Sequence, residues 1–328
     1  MQTGGLDMDG IGLRTATVAV GFFLVGTAGA AGQITLDAPD ERFTEDFGSI
    51  QTVRELPDGR VLVADPLARS LFVVDMVAGT RAVVGRQGQG PDEYMQPDAV
   101  WSLPGDSTLL VDLGNGRLVA LGPDLDFGPT MPIAQGDPRP GTGAPFNLAL
   151  PQAVDAEGRL YARALGMGGG PSGQLPDSGA VLRIDRGTRT SETVATVKLQ
   201  DRARSVTGGA NERSVQIEAV PLSPEDAWGV APDGSVVVAR AGAARVEWIA
   251  PDGSVTRGPP VSYDPVRIGT EEKEEWLRDE GRSGGGIGVA VSVENGSVST
   301  RLGRGMSMGG GGPREIDQYT WPDAMPPF

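Results

Sequence analysis

The stretch IQTVRELPDGRVLVADPLARSLFVVDMVAGTRAVV, residues 50–84, alternates short apolar runs with turn residues. Asp58-Gly59 reads as a hairpin dipeptide, because type I′ geometry needs positive φ, which Asp and Gly tolerate. Val61-Leu62-Val63 behind it is a continuous apolar run that suits a strand covered on both faces. Asp75 closes the next run, LFVVD, where an Asx turn can begin. The same grammar returns in residues 98–127, DAVWSLPGDSTLLVDLGNGRLVALGPDLDF. Leu56-Pro57 and Leu103-Pro104 lie 47 residues apart, and so do Asp65 and Asp112. A third unit opens at Pro151 (PQAVDAEGRLYARAL) and, after a Gly-rich insertion, resumes at Ala180 (AVLRIDRGTRTSETVATV). The fourth, residues 226–261, repeats the pattern with Asp233-Gly234 and Val236-Val237-Val238. A period of about 40–50 residues filled with several short strands is the sequence signature of propeller blades. The predicted fold is an all-β propeller.

Residues 84–124, VGRQGQGPDEYMQPDAVWSLPGDSTLLVDLGNGRLVALGPD, resemble the NHL-type repeat. Gly88, Gly90, Pro91, Pro97, Val111, Asp112, Asn115, Arg117 and Leu118 fall on that repeat's pattern, and Val63, Asp65, Arg69 and Leu71 match it in the first unit. The third and fourth units depart, with Ala164 and Arg240 where Asp would stand. The resemblance implies a six-bladed propeller of the kind found in exported bacterial proteins. It also implies that the matching Asp and Arg residues tie blades together by hydrogen bonds to turns and strands. Related propeller lactonases hold a divalent cation with Glu, Asn and Asp, and related lyases use His-bound zinc.

Four regions follow from the pattern. Residues 1–30 read as a signal peptide: Arg14, the apolar run TATVAVGFFLVG at 15–26, and an A-x-A site at Ala28-Gly29-Ala30. The apolar run is too short to span a bilayer comfortably. Met8 is an alternative start. Residues 31–47 are a lead-in, 48–262 the four readable blades, and 263–328 a helix, a Gly/Met-rich loop and a partial further blade. The helix is expected over TEEKEEWLRDE, residues 270–280, with Thr270 capping it, Glu274 and Arg278 as an i,i+4 pair, and Gly281 ending it. A strand is expected over Ile287–Val293, and none over WPDAMPPF at the end. Closed propellers commonly need six or seven blades. Four to five readable blades therefore predict an incomplete ring, an open arc; the alternative is that residues 262–328 form irregular blades that close it.

Composition narrows the chemistry. A net charge of −15 repels polyanions, so neither nucleic acid nor an anionic membrane surface is an expected partner. The chain has no Cys and no His. That removes thiolate chemistry, zinc-thiolate sites, the Ser-His-Asp triad and any His-ligated metal, including the zinc of the related lyases. The Gly-rich runs at 166–173 and 303–312 lack the helix and Lys of a phosphate loop and read as surface loops. Their Met167, Met306 and Met308 are thin grounds for a copper(I) site and read as adaptable apolar filling. The ligand candidates are Arg86, Glu93 and Asp98, in or beside the loop joining the first two units. Two functions remain open: an exported, periplasmic or extracellular module that binds a protein, peptide or carbohydrate through its loops, or a lactonase-like hydrolase using calcium held by carboxylates and amides in the channel. No EF-hand loop is present to supply such a site.

Overall fold

The structure is a computed structural model that describes residues 38–135, 147–164, 176–207, 214–282, 287–294, 297–304 and 315–327. The chain divides into the units Met1–Asp40 and Glu41–Phe328, and everything below concerns the second. The signal-peptide reading, the Gly-rich runs and the three methionines fall outside the described residues, apart from Gly303 in a strand.

Four sheets of four antiparallel strands follow one another, each strand pairing with the next in sequence. The first is Val53–Glu55, Val61–Asp65, Ser70–Asp75 and Thr80–Val84. The second is Pro97–Ser102, Thr108–Asp112, Arg117–Leu121 and Phe127–Pro132. Ala153–Val154, Leu160–Arg163, Ser178–Ile184 and Ser191–Lys198 make the third, and Ala227–Val230, Val236–Arg240, Arg245–Ile249 and Val255–Arg257 the fourth. First strands of successive sheets pack against one another in order, so they surround a shared axis. The protein is a β-propeller, with four blades among the described residues, the four units that the repeat marks.

The expected hairpin chemistry is right in place and different in kind. Gly59 and Gly234 have φ of 81° and 86°, whereas neither Asp58 nor Asp233 has positive φ. The amides of Gly59 and Gly234 donate to Leu56 and Ala231 carbonyls at 2.9 Å. This fits a three-residue loop, a type I turn followed by a left-handed glycine, and not type I′. The aspartates serve the turn through their side chains: Asp58 accepts from Arg60 N at 3.1 Å and Asp233 from Ser235 N at 2.8 Å.

Apolar clusters lie between the blades. Leu62, Leu71, Val73, Tyr94, Val100, Leu110 and Leu121 fill the first interface. Leu109, Val111, Leu160, Leu182 and Ile184 help fill the second, and Tyr161, Val181, Val197, Val236 and Val238 the third. Each fully buried Leu or Val contributes about 1.5–3 kcal/mol relative to exposure. Polar ties accompany them. Thr52 Oγ1 both donates to Val100 O and accepts from Val100 N, each at 2.8 Å. Arg54 of the first blade, 5% exposed, reaches Thr108 Oγ1 and the Asp106 carbonyl of the second. Val63, Phe72 and Val74 on the outer face of the first blade are covered by Phe43 and Phe47 of the lead-in. In the fourth blade Val236 and Val238 are buried but Val237 is half-buried, and its cross-strand neighbour Trp248 is 49% exposed. The two-sided burial expected of that strand is therefore found on one side.

Beyond the blades, the helix runs Thr270–Arg282, through Gly281. Its first turn is closed by Glu272, whose carboxylate accepts from Gly269 N at 2.8 Å, one residue earlier than the expected cap at Thr270. Arg278 Nε donates to the Glu274 carbonyl oxygen at 3.3 Å in place of the expected ion pair. Ile287–Glu294 pairs with Ser297–Arg304 as a two-stranded hairpin. The final segment docks along residues 266–268, with Ile268 N on Asp323 O at 3.0 Å and Met325 N on Val266 O at 2.8 Å. Trp276, Tyr319 and Trp321 stack edge-on behind it. Among the described residues no strand ladder joins the fourth sheet to the first.

One pH dependence follows from the third interface. Tyr161 is fully buried and donates to Asp155 Oδ2 at 3.0 Å. Burial first, and the Asp155 carboxylate after it, push its pKa from 10.0 up to about 12. The folded chain thus holds this proton more tightly than the unfolded chain does. The resulting stability is full below the ordinary tyrosine pKa and is lost as pH rises toward the folded value. Urea melts across that window should show this fall, and Tyr161→Phe should flatten it at a cost of about 1 kcal/mol at neutral pH.

Candidate functional site

An antiparallel meander puts alternate turns at opposite ends of a blade. The connectors between blades share one end with each blade's second-to-third-strand turn. The connector from the first blade to the second, residues 85–96, is held there by the second blade's own turn. Asp112, whose side chain is 0% exposed, accepts from Met95 N at 3.0 Å, Gln96 N at 3.1 Å, Asn115 Nδ2 at 2.7 Å and Arg117 Nε at 3.4 Å. Asn115 Nδ2 also donates to Gly88 O at 2.9 Å, and Arg117 Nη2 to Gly90 O at 3.1 Å and Glu93 O at 2.7 Å. Asp65 does the same work one period earlier, accepting from Gly48 N at 2.6 Å, Ser49 N at 3.2 Å, Leu67 N at 3.1 Å and Ala68 N at 2.9 Å. Asp65, Asp112, Asn115 and Arg117 thus fasten each blade to the segment that leads into it, whereas the matched Arg69 takes part only through its backbone carbonyl.

The fourth blade keeps the fastener with its polarity reversed. Arg240 stands at the end of the second strand, and Asp226, just before the first strand, meets it at 2.9 Å. Asp226 also accepts from Ala241 N and Lys198 N, both at 3.0 Å. The cue in the sequence was EDAW at 225–228 beside PDAV at 97–100. Reading only for an Asp at position 240 hides it.

Of the three ligand candidates, the fold joins two. Arg86–Gln87 and Glu93–Tyr94 pair as short parallel strands inside the connector. Arg86 Nε lies 2.8 Å from Glu93 Oε1, with the Arg86 side chain 77% exposed and that of Glu93 21% exposed. Gly90 N donates to Glu93 Oε2 at 2.7 Å. That amide first, and the Arg86 guanidinium after it, hold the Glu93 carboxyl below the usual glutamate range. The loop therefore presents a cation to solvent on a carboxylate that is fixed from behind. Asp98 is elsewhere: it sits 4% exposed in the irregular step between Pro97 and Ala99, inside the second blade's first strand.

Gly88, which falls on the repeat pattern, also makes room for this pair. A Cβ there would overlap the Glu93 carboxylate. Gly88→Ala should therefore push Glu93 off Arg86 and also lower the melting temperature, because the carboxylate must move and the φ of 158° at Gly88 is one that a side chain rarely adopts. Crystallography of the variant, or the loss of the depressed Glu93 pKa by NMR titration, checks this.

Among the described residues no three acidic side chains gather in a way that holds a metal ion. The side chain of Asn147 lies outside the described set. The acidic part of the calcium reading thus has no cluster among the described residues. No helix among the described residues is long and apolar enough to cross a membrane.

No protein-family model matches the chain, and no curated protein matches it. Solved structures do. A Bacteroides fragilis protein assigned as exported is 13% identical, with a TM-score of 0.40 over 82% of this chain and 68% of that one. Virginiamycin B lyase from Staphylococcus aureus is 12% identical, with a TM-score of 0.31 over 66% of this chain and 72% of that one. A second Bacteroides fragilis protein, assigned as a 6-phosphogluconolactonase, is 16% identical, with a TM-score of 0.32 over 63% of this chain and 53% of that one. The chain thus spans about half the length of that last protein. At these identities and TM-scores the likenesses carry no functional argument.

Proposed function

We propose that the protein is an exported, non-enzymatic binding module that takes a protein, peptide or carbohydrate ligand on the loop end of its blades. The observation that carries this is the Arg86–Glu93 pair: an exposed guanidinium, aimed by a carboxylate that a backbone amide and a connector fastened by Arg117 hold in place. Preorganised polar groups on a rigid scaffold are what a binding loop needs, because less freedom is lost on association. The absence of His and Cys supports a binder over most hydrolases. Export rests on the N-terminal leader pattern, and residues after it carry the function.

The test is a peptide and glycan array probed with the mature protein, run with calcium and with a chelator. A ligand class retained in chelator and lost on Arg86→Glu supports the reading. Binding indifferent to Arg86→Glu sinks it. A calcium-dependent rise in melting temperature would favour the hydrolase reading, since specific binding to the native state must raise stability.

A further inference from the structure

At the opposite end of the blades, on the third, lies an open groove of about 440 Å³ lined by Arg159, Arg183, Asp185, Thr188, Thr190, Ser191 and Glu192. These residues come from the turns joining first to second and third to fourth strands of the third blade and from the strand ends beside the latter. Tyr161, Arg183 and Glu192 are direct cross-strand neighbours. The fourth blade adjoins it, with Arg183 Nη1 reaching the Pro251 carbonyl at 3.5 Å.

The floor is built. Asp155 and Tyr161 beneath it are 3% and 0% exposed. Asp155 Oδ2 takes Arg159 Nε at 2.6 Å and the Tyr161 hydroxyl at 3.0 Å. Gly234 of the fourth blade makes room for this set, since a Cβ there would come within 2.6 Å of Arg159 Nη2 and 2.9 Å of the Tyr161 hydroxyl. Arg159 is held further by Glu157 at 3.2 Å, and Arg183 by Glu192 at 2.8 Å.

That arrangement decides the ligand class. Both guanidiniums already face carboxylates, so an anion must displace one of them. The lining carries two Arg against Asp185 and Glu192, so it has no net charge to attract an ion of either sign. Among the described residues no apolar or aromatic side chain lines it, which disfavours the apolar ligands typical of small-molecule sites of roughly 300–1,000 Å³. What remains is a dense mixture of donors and acceptors. Guanidinium N–H groups donate, carboxylate oxygens accept, and the Thr188, Thr190 and Ser191 hydroxyls do both. Thr188 Oγ1 already donates to Asp185 Oδ1 at 3.0 Å and lies 2.8 Å from Thr190 Oγ1, a chain that a ligand hydroxyl can extend.

We propose that this groove is a second binding site, for a neutral polyhydroxylated molecule such as a sugar or a polyol. It is independent of the Arg86–Glu93 loop, being at the other end of the blades.

The experiment is saturation-transfer NMR on the full chain, titrated with myo-inositol and cellobiose as neutral probes, and with gluconate and glucosamine as charged ones. The expected result is saturable binding of at least one neutral probe at tens of millimolar or below. Thr190→Val and Asp185→Asn, both at exposed positions, should each weaken it about tenfold, the worth of one good hydrogen bond, with unchanged melting. Arg86→Glu should leave it untouched. Three results overturn the proposal: no saturation by either neutral probe, tighter binding of the charged probes, or binding indifferent to both groove variants.

Discussion

Replacing Asp112 by Ala lowers the free energy of unfolding by about 3–5 kcal/mol, the usual cost of removing one partner from a buried ion pair. The carboxylate is fully buried and collects four donors, two backbone amides of the connector and the side chains of Asn115 and Arg117. Without it, the Arg117 guanidinium, on a side chain 19% exposed, is left beside two unsatisfied amides. Asp112→Asn keeps the shape and loses the charge, so it should fall between the wild type and Ala. Asp65→Ala should cost less, since the donors to Asp65 are backbone amides and no cation is stranded. Urea denaturation of the three variants ranks them. A loss below about 1 kcal/mol for Asp112→Ala, the range of an exposed pair, would mean that the fastener is not closed in solution.

Leu110→Ala should lower stability by a further comparable amount, about 2–5 kcal/mol. Leu110 is 0% exposed in the second blade and packs into the cluster shared with the first. Deleting three carbons there leaves a cavity walled by Leu62, Leu71 and Val119, which the sheets on either side cannot collapse into without breaking their ladders. Val237→Ala in the fourth blade is the control. Its half-buried face, next to the exposed Trp248, already admits water, so the loss should be about 1 kcal/mol or less. Equal losses at the two positions would show that the first interface is looser than its packing implies.

The blades were legible because strand, turn and period all point one way. Val61-Leu62-Val63, the Asp-Gly turns and the 47-residue spacing of Asp65 and Asp112 carry independent signals that agree. The turn type was not legible: type I′ and the type I turn with a left-handed glycine both favour Asp-Gly, and only the φ at Asp58 separates them. One-sided burial of Val236–Arg240 was hidden as well, since a continuous apolar run does not say which face is covered. For the helix, local rules named the right segment and the wrong cap, because Glu272 reaches back to Gly269 where Thr270 was the stronger candidate by type.

The connector site was half visible. Arg86 and Glu93 could be named from their place in the loop, and their pairing needed the short parallel bridge that no pattern announces. Asp98 looked equivalent to them by sequence distance, yet the irregular step at Pro97 turns it inward. The reversed fastener of Asp226 and Arg240, and the buried Asp155–Tyr161–Arg159 set under the groove, join residues whose partners lie on separate strands or blades. No single local pattern announces such constellations, although EDAW at 225–228 marks the first of them and Asp155 and Gly158 the turn that creates the second.

The central claim, that the connector after the first blade is the binding surface, is most directly tested by amide hydrogen exchange. The mature protein would be compared free and with the tightest ligand from the array. Protection should concentrate at residues 85–96 and at the Asp112–Arg117 turn that fastens them, and it should disappear in Arg86→Glu. Protection confined to other loops, with residues 85–96 exchanging as in the free protein, would contradict the account.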